Sequence, residues 1–241
     1  MATSETSIER MTWPEVEAAI AGGKRRAIIC AASSEQHGPH LPEATDAILG
    51  AEYGRRLALA LGDSLVAPVI RPGCSEHHMT FAGSLTISAE LLMDILDSYV
   101  DSLRRHGFDR FVVMSSHGGN YPVLAEWERT RPKPGCTVIS DIHVFDAGFE
   151  AIRRFGRRDT AGPHAEVLET SMMLVLVPEL VHMERAEPGF EGDVQLEGLL
   201  EKGMRAVSRN GIIGNPVGAS AEMGEAVLDA ITEALVRLVG R

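Results

Sequence analysis

Residues 33–47, SSEQHGPHLPEATDA, gather Glu35, His37, His40, Glu43 and Asp46 into a stretch interrupted by Gly38, Pro39 and Pro42, which cannot be a regular helix. Carboxylates mixed with imidazoles suit zinc, manganese or iron; calcium prefers oxygen alone. Glu35 and His37 are two residues apart, so an extended strand end projects both to one side. Asp46 lies nine residues after His37, at the expected start of a helix, and can return to the same point. Further polar loops carry His77 and His78, His117 in VVMSSHGGN, and His164 with Glu169 in HAEVLETS.

These loops matter because of the elements that precede them. Thr12, Pro14 and Glu15 form a capping-box pattern, and Gly22-Gly23 stops the helix they open. RAIICAAS, SLVAPVI, DRFVVMSS and CTVISDIHVF are apolar runs rich in β-branched residues and are expected to be buried strands. Helices are expected over Ala47 to Leu61, Ser88 to His106 closed by Gly107, Asp146 to Arg158, HAEVLETSMMLVLV, and a short one near Leu196 to Met204. Ser220 caps a last helix with Ala226, Val227, Ile231, Leu235 and Leu238 at helical spacing. Residues 186–219, rich in Gly and Pro, are expected to hold little other regular structure. Alternating strands and helices imply an α/β fold with a mostly parallel sheet covered on both faces. In such sheets ligands collect beyond the carboxyl ends of the strands, where these polar loops lie.

Composition bounds the rest. A chain of 241 residues with 44% hydrophobic residues is sized for one domain, 1–241. A net charge of -11 argues against a nucleic-acid partner. No apolar run approaches the roughly 18 residues of a membrane span. Cys30, Cys74 and Cys136 are odd in number and form no C-x-x-C, which suits a reducing compartment. With no secretory pattern at the N-terminus, a cytoplasmic location is expected. There is no G-x-S-x-G elbow, and Cys30 sits inside an apolar strand, so serine and cysteine nucleophiles are disfavoured.

SSEQHGPHLPEATD, GCSEHHMTFAGSLTIS, VVMSSHGGN, HAEVLETSMML and NGIIGNPVGASAEMG, in this order, resemble the creatininase (creatinine amidohydrolase) family. The resemblance runs from about Arg26 to the C-terminus. It implies a three-layer α/β/α sandwich, two divalent metal ions per chain, hydrolysis of non-peptide or cyclic amide C–N bonds, and a homo-oligomer, commonly a hexamer. It makes Glu35, Asp46 and His117 ligands of one metal and His37 and Asp46 ligands of the other, with a bridging hydroxide as attacking group. In creatininase a glutamate two residues after the counterpart of His117 completes the second site, where this chain has Gly119. Either Glu169 replaces it, or the second metal is weak or absent. His164 is implied as the acid that protonates the departing nitrogen, acting with Glu169; the other reading of His164 is an exposed helix-start residue.

Ser75, Glu76 and His77, with Gly118, Gly119 and Asn120, are expected to line the substrate site; Ser75, Glu76 and His77 could equally hold their loop through backbone bonds. Creatininase closes its pocket with tryptophans from the segments matching VISDIHVF and RRDTAGPH, whereas this chain has only Trp13 and Trp127. A small-molecule amide other than creatinine is therefore expected. The second half is more similar to the mycofactocin-associated peptidase and formylaminopyrimidine deformylase branches, which keeps a peptidase of a small modified peptide open beside a formyl or cyclic amidohydrolase. A non-catalytic metal-binding scaffold is the third reading. Arg153 to Arg158 is either an anion contact or a solvated helix face.

Overall fold

The computed structural model describes residues 5–156, 164–192, 194 and 196–240. Its sheet holds four parallel strands, β1 (Arg26–Ala31), β2 (Ser64–Val66), β3 (Arg110–Ser115) and β4 (Cys136–Val138), in the order β2-β1-β3-β4. Helix α1 (Trp13–Ala21) precedes β1, α2 (Thr45–Leu61) joins β1 to β2, α3 (Ala89–Arg105) joins β2 to β3, and α4 (Tyr121–Thr130) joins β3 to β4. Helices α5 (Asp146–Arg153), α6 (Val167–Leu176), α7 (Leu196–Lys202), α8 (Met204–Val207) and α9 (Ala221–Val239) follow.

The period of two along β1 sorts the core into two faces. Ile28 and Cys30 join Val112 and Met114 under α2, α5, α6 and α9. Ala27, Ile29 and Ala31 join Phe111 and Val113 against α3 and α4. The result is the expected α/β/α sandwich. Caps act where the sequence places them: Thr12 and Glu15 close the capping box of α1, and the Ser88 and Ser220 hydroxyls accept from Leu91 and Met223 backbone N–H groups.

Two expected strands are shorter than their apolar runs. SLVAPVI is a strand only through Val66, and Ile70 rejoins the sheet as a single bridge to Ala31. CTVISDIHVF ends as a strand at Val138, and Ile142–Phe145 is a 3-10 turn leading into α5. Beyond the paired residues the backbone keeps only isolated bonds to the sheet, from Ala67 to Ile28, Ile70 to Cys30 and Ile139 to Val113, too few to continue a regular strand. Between DRFVVMSS and CTVISDIHVF no helix is expected from the sequence, yet α4 lies there, with Pro122 in its first turn, where its missing N–H costs nothing. Part of the arginine run and the RRDTAGPH segment, residues 157–163, lie outside the described residues.

The chain leaves β1 towards β2 on one side and leaves β3 towards β4 on the other, so the loops after β1 and β3 diverge and open a crevice between them. Helix α2 is drawn close to that crevice by Gly50, where a Cβ would stand 2.7 Å from both Cys30 Sγ and Ser116 Oγ. The Ser116 hydroxyl donates to the Asp46 carbonyl at 2.7 Å, tying the first turn of α2 to the end of β3. Gly50→Val should push α2 off the sheet, cost about 1–3 kcal/mol of stability in a denaturant titration, and weaken divalent-metal binding in the same protein.

Candidate metal centre

Four elements deliver the polar groups. Glu35 and His37 come from the loop after β1, Asp46 from the first turn of α2, His117 from the end of β3, and Glu169 from the first turn of α6. All are buried except Glu169, which is half-buried. Asp46 Oδ2 stands 3.3 Å from His117 Nδ1 and its Oδ1 stands 3.3 Å from His37 Nε2. Glu35 Oε1 is 3.1 Å from His117 Nδ1, and Glu169 Oε2 is 3.8 Å from His37 Nε2. Two donor sets result, Glu35–Asp46–His117 and His37–Asp46–Glu169, each with its atoms within 4.8 Å of one another. A third grouping, Glu35–His37–His164, overlaps both.

The far ring nitrogens are already used. His37 Nδ1 donates to the Glu35 carbonyl at 3.0 Å, and His117 Nε2 donates to the Cys74 carbonyl at 3.1 Å. That fixes the tautomers and leaves His37 Nε2 and His117 Nδ1 directed inward, the usual way an imidazole is held for a metal. Among the described residues, Glu35 Oε2, His37 Nε2 and Asp46 Oδ2 are buried without a hydrogen-bond partner. Unpaired buried polar atoms cost about 1–3 kcal/mol each, and a cation within these donor sets would partner them. The residues therefore fit a pair of divalent ions.

Charge follows the same logic. Burial disfavours ionised Glu35 and Asp46, yet His117 and His37 hold both below the ordinary carboxylate range. Burial likewise opposes charge on the imidazoles, but Asp46 drives His37 up to about 10, and Glu35 with Asp46 drives His117 well above its usual value. Desolvation of the Glu169 carboxyl, the inner end of a half-buried side chain, is opposed only in part by His37 and raises it to about 7. In this cluster protons do the work a cation would do.

Other expected residues have specific places. A Cβ at Gly119 would stand 2.4 Å from the Cys74 carbonyl oxygen and 2.5 Å from His117 Nε2, so no larger residue fits there. The third carboxylate of the cluster, beside His37 and Asp46, is Glu169, which accepts from the Ala165 N–H; Ala165 is held at a positive φ of 56°. His164 is buried, not exposed: its Nε2 donates to the Gln36 carbonyl at 2.9 Å, its Nδ1 faces Glu35 Oε1 at 4.0 Å, and burial followed by His37 lowers its pKa to about 3. Ser75 bonds to Ser33 and lies 3.3 Å from His117 Nε2, while the His77 ring stacks on His117. Asn120 clamps the Cys74 N–H and the Ala31 and Ala32 carbonyls. Ser75 and Asn120 thus hold the loops together. Glu76 is exposed, outside the buried cluster. Gly118 and Glu169 line a cavity of about 50 Å³ walled by Tyr53, Tyr121 and Phe145.

Gln36 and those aromatic walls carry no signal in the sequence, and His78, noted there beside His77, has no role assigned by its motif. His40 and Glu43 stay outside the donor sets; His40 bonds to Thr170 and Glu43 accepts the Glu35 N–H through its carbonyl. The E-x-H spacing draws attention to Glu35 and His37 and passes over the residue between them.

A family model described as Creatininase: Creatinine amidohydrolase matches residues 9–239. A mycofactocin precursor peptide peptidase of Mycobacterium ulcerans is 31% identical over 100% of this chain and 90% of its own. A creatinine amidohydrolase of Pseudomonas putida is 26% identical over 74% of both. A 2-amino-5-formylamino-6-ribosylaminopyrimidin-4(3H)-one 5'-monophosphate deformylase of Methanobrevibacter smithii is 24% identical over 74% of this chain and 76% of its own. Among solved structures, a zinc–zinc form of a mutant creatininase superposes with a TM-score of 0.80 at 24% identity, over 98% of this chain and 97% of that one.

The raised imidazole pKa values set a pH dependence. His37 binds its proton more tightly folded, at about 10, than unfolded, near 6.5, so its contribution is complete below pH 6.5 and is lost as pH rises through 10. Glu169, raised to about 7, loses its contribution in the same direction between pH 4.5 and 7. Metal-stripped protein should therefore melt at progressively lower temperature from pH 6.5 to 10, and saturating zinc should flatten the profile by replacing the protons. A flat profile without metal would contradict this charge assignment.

Proposed function

Since the chain belongs to the creatininase (creatinine amidohydrolase) family, we propose that it is a two-metal hydrolase of a small non-standard amide. In this reading Glu35, Asp46 and His117 hold one divalent cation and His37, Asp46 and Glu169 the other. The observation that carries it is Asp46, buried with one carboxylate oxygen directed into each donor set. When bound, such a cation pair polarises an amide carbonyl and lowers the pKa of water from 15.7 towards roughly 7. Zinc, manganese and iron all suit the donors.

His164 carries the proton. Neutral at physiological pH and presenting Nδ1 towards Glu35, it accepts a proton from the attacking water and returns it to the departing nitrogen, a poor leaving group otherwise. Gly118 and Glu169 border the acyl side, where the cavity of about 50 Å³ between Tyr53, Tyr121 and Phe145 accepts a formyl or other compact acyl group. Among the described residues no tryptophan lines that cavity, which supports a substrate other than creatinine.

A second reading is favoured by the 31% identity to the mycofactocin precursor peptide peptidase over the full chain: the scissile amide is a bond in a small modified peptide. Both readings place the enzyme as a cytoplasmic homo-oligomer, a hexamer by family likeness, acting without nucleic acid or membrane. Among the described residues no helix is long and apolar enough to cross a membrane.

Metal analysis of dialysed protein tests the centre. Wild type, Glu169→Ala and Asp46→Ala should retain roughly two, one and near zero equivalents per chain. Two equivalents in Glu169→Ala would remove Glu169 from the ligands, and one in wild type would reduce the mechanism to a single metal.

A panel of N-formyl compounds, small acyl amides, lactams and short peptides, assayed with added zinc, manganese or iron, tests the chemistry. Creatinine should turn over at least about a hundredfold more slowly than the best amide, equivalent to roughly 2.7 kcal/mol of transition-state binding. Peptides leading the panel would favour the peptidase reading, and no metal-dependent amine release from any compound would favour a scaffold. On the best substrate, His164→Ala should lower kcat by roughly 10² to 10⁴ with metal content unchanged; loss of metal would make His164 a ligand instead.

A further inference from the structure

Two histidines outside the two sets that share Asp46 flank Glu35, and Gln36 touches both. His78 Nε2 is 3.4 Å from Glu35 Oε1, and His164 Nδ1 is 4.0 Å from the same oxygen. Gln36 Oε1 accepts the Gly38 N–H at 2.9 Å, which fixes which end of the side-chain amide is oxygen. Its Nε2 then faces His78 Nδ1 at 2.9 Å, His164 Nε2 at 3.0 Å and the Gly211 carbonyl at 3.2 Å.

An amide nitrogen has two hydrogens, so three contacts cannot all be bonds. His164 Nε2 is only 2.9 Å from the Gln36 backbone carbonyl, an obligate acceptor, so it carries its own proton. The Gly211 carbonyl can only accept. The two amide hydrogens therefore go to Gly211 and to His78 Nδ1, and His78 must hold its single proton on Nε2. Its neighbour His164, protonated on Nε2, turns a lone pair inward at Nδ1.

We propose that Gln36 is a positioning residue that sets opposite polarity in the two histidines at Glu35, so that His78 offers an N–H to the carboxylate while His164 offers a lone pair for proton transfer. His78 thereby occupies Glu35 Oε1 from the side and steadies the carboxylate whose Oε2 has no hydrogen-bond partner. His164, by contrast, keeps an unprotonated nitrogen on the reaction side. The backbone of Gln36 determines one ring and its side chain the other. The assignment stands on hydrogen-bond counting and rests on the amide-hydrolase reading only for its kinetic consequence.

Zinc-loaded full-length protein with ¹⁵N-labelled histidine supplies the test, through long-range proton–nitrogen correlation spectra assigned with His78→Asn. In wild type, the Nδ1 signal of His78 should lie in the pyridine-like range and its Nε2 signal in the pyrrole-like range. Gln36→Glu presents only acceptors to His78 Nδ1 and should exchange the two positions. Gln36→Met removes the donor and should leave His78 an average of both forms. Pyrrole-like Nδ1 in wild-type His78 overturns the proposal, even where neither variant folds. So does an unchanged His78 in a folded Gln36→Glu. These spectra are recorded without substrate, so failure of the amide-hydrolase reading leaves the result standing, and the reverse.

Discussion

Three carboxylates, Glu35 and Asp46 buried and Glu169 half-buried, are gathered around two imidazoles, and the need to neutralise them organises the surrounding structure. Buried anions are tolerated only when paired. Asp46 answers that need most completely, because it stands at the N-terminus of α2, where the helix dipole favours negative charge, and faces His37 with one oxygen and His117 with the other. The raised pKa values of His37 and His117 and the depressed values of Glu35 and Asp46 are two sides of this pairing.

The scaffold's contribution is to make such a gathering possible. Divergent loops after β1 and β3 leave a crevice at the strand ends, and close contact at Gly50 brings Asp46 to its floor. Gly119 shows how narrow the remaining space is. With Cys74 and His117 against it, that position cannot carry a carboxylate, and the anion is delivered from α6 by Glu169. The donor chemistry at the second set is thus supplied from a different element of the fold, which a likeness of overall fold alone does not specify.

Around the cluster, backbone carbonyls fix how each imidazole is turned. His37 and His117 spend their outer nitrogens on backbone carbonyls and direct the inner ones at Asp46. His164 does likewise through Gln36 but stands farther from the carboxylates. Tyr53, Tyr121 and Phe145 then close the adjoining space to a small volume. Aromatic walls exist here although the tryptophans of the resembling family do not; they come from α2, α4 and the turn before α5, positions with no motif to mark them.

The sequence by itself determined the alternation of strands and helices, the caps at Thr12, Ser88 and Ser220, and the metal-binding residue types in the loop after β1. Those features depend on local spacing, period and composition, and local physics sets them. His117 and Glu169 were legible as chemistry-bearing residues, through short motifs at strand and helix ends. Tertiary structure decided what local patterns cannot carry. The strands stop at Val66 and Val138 because the residues beyond keep only isolated bonds to the sheet, and the service of Asp46 to both donor sets requires α2 to lie against β1 and β3. The burial of His164 and the roles of Gln36 and His78 are also tertiary, since each depends on atoms brought within about 3–4 Å from segments more than forty residues apart.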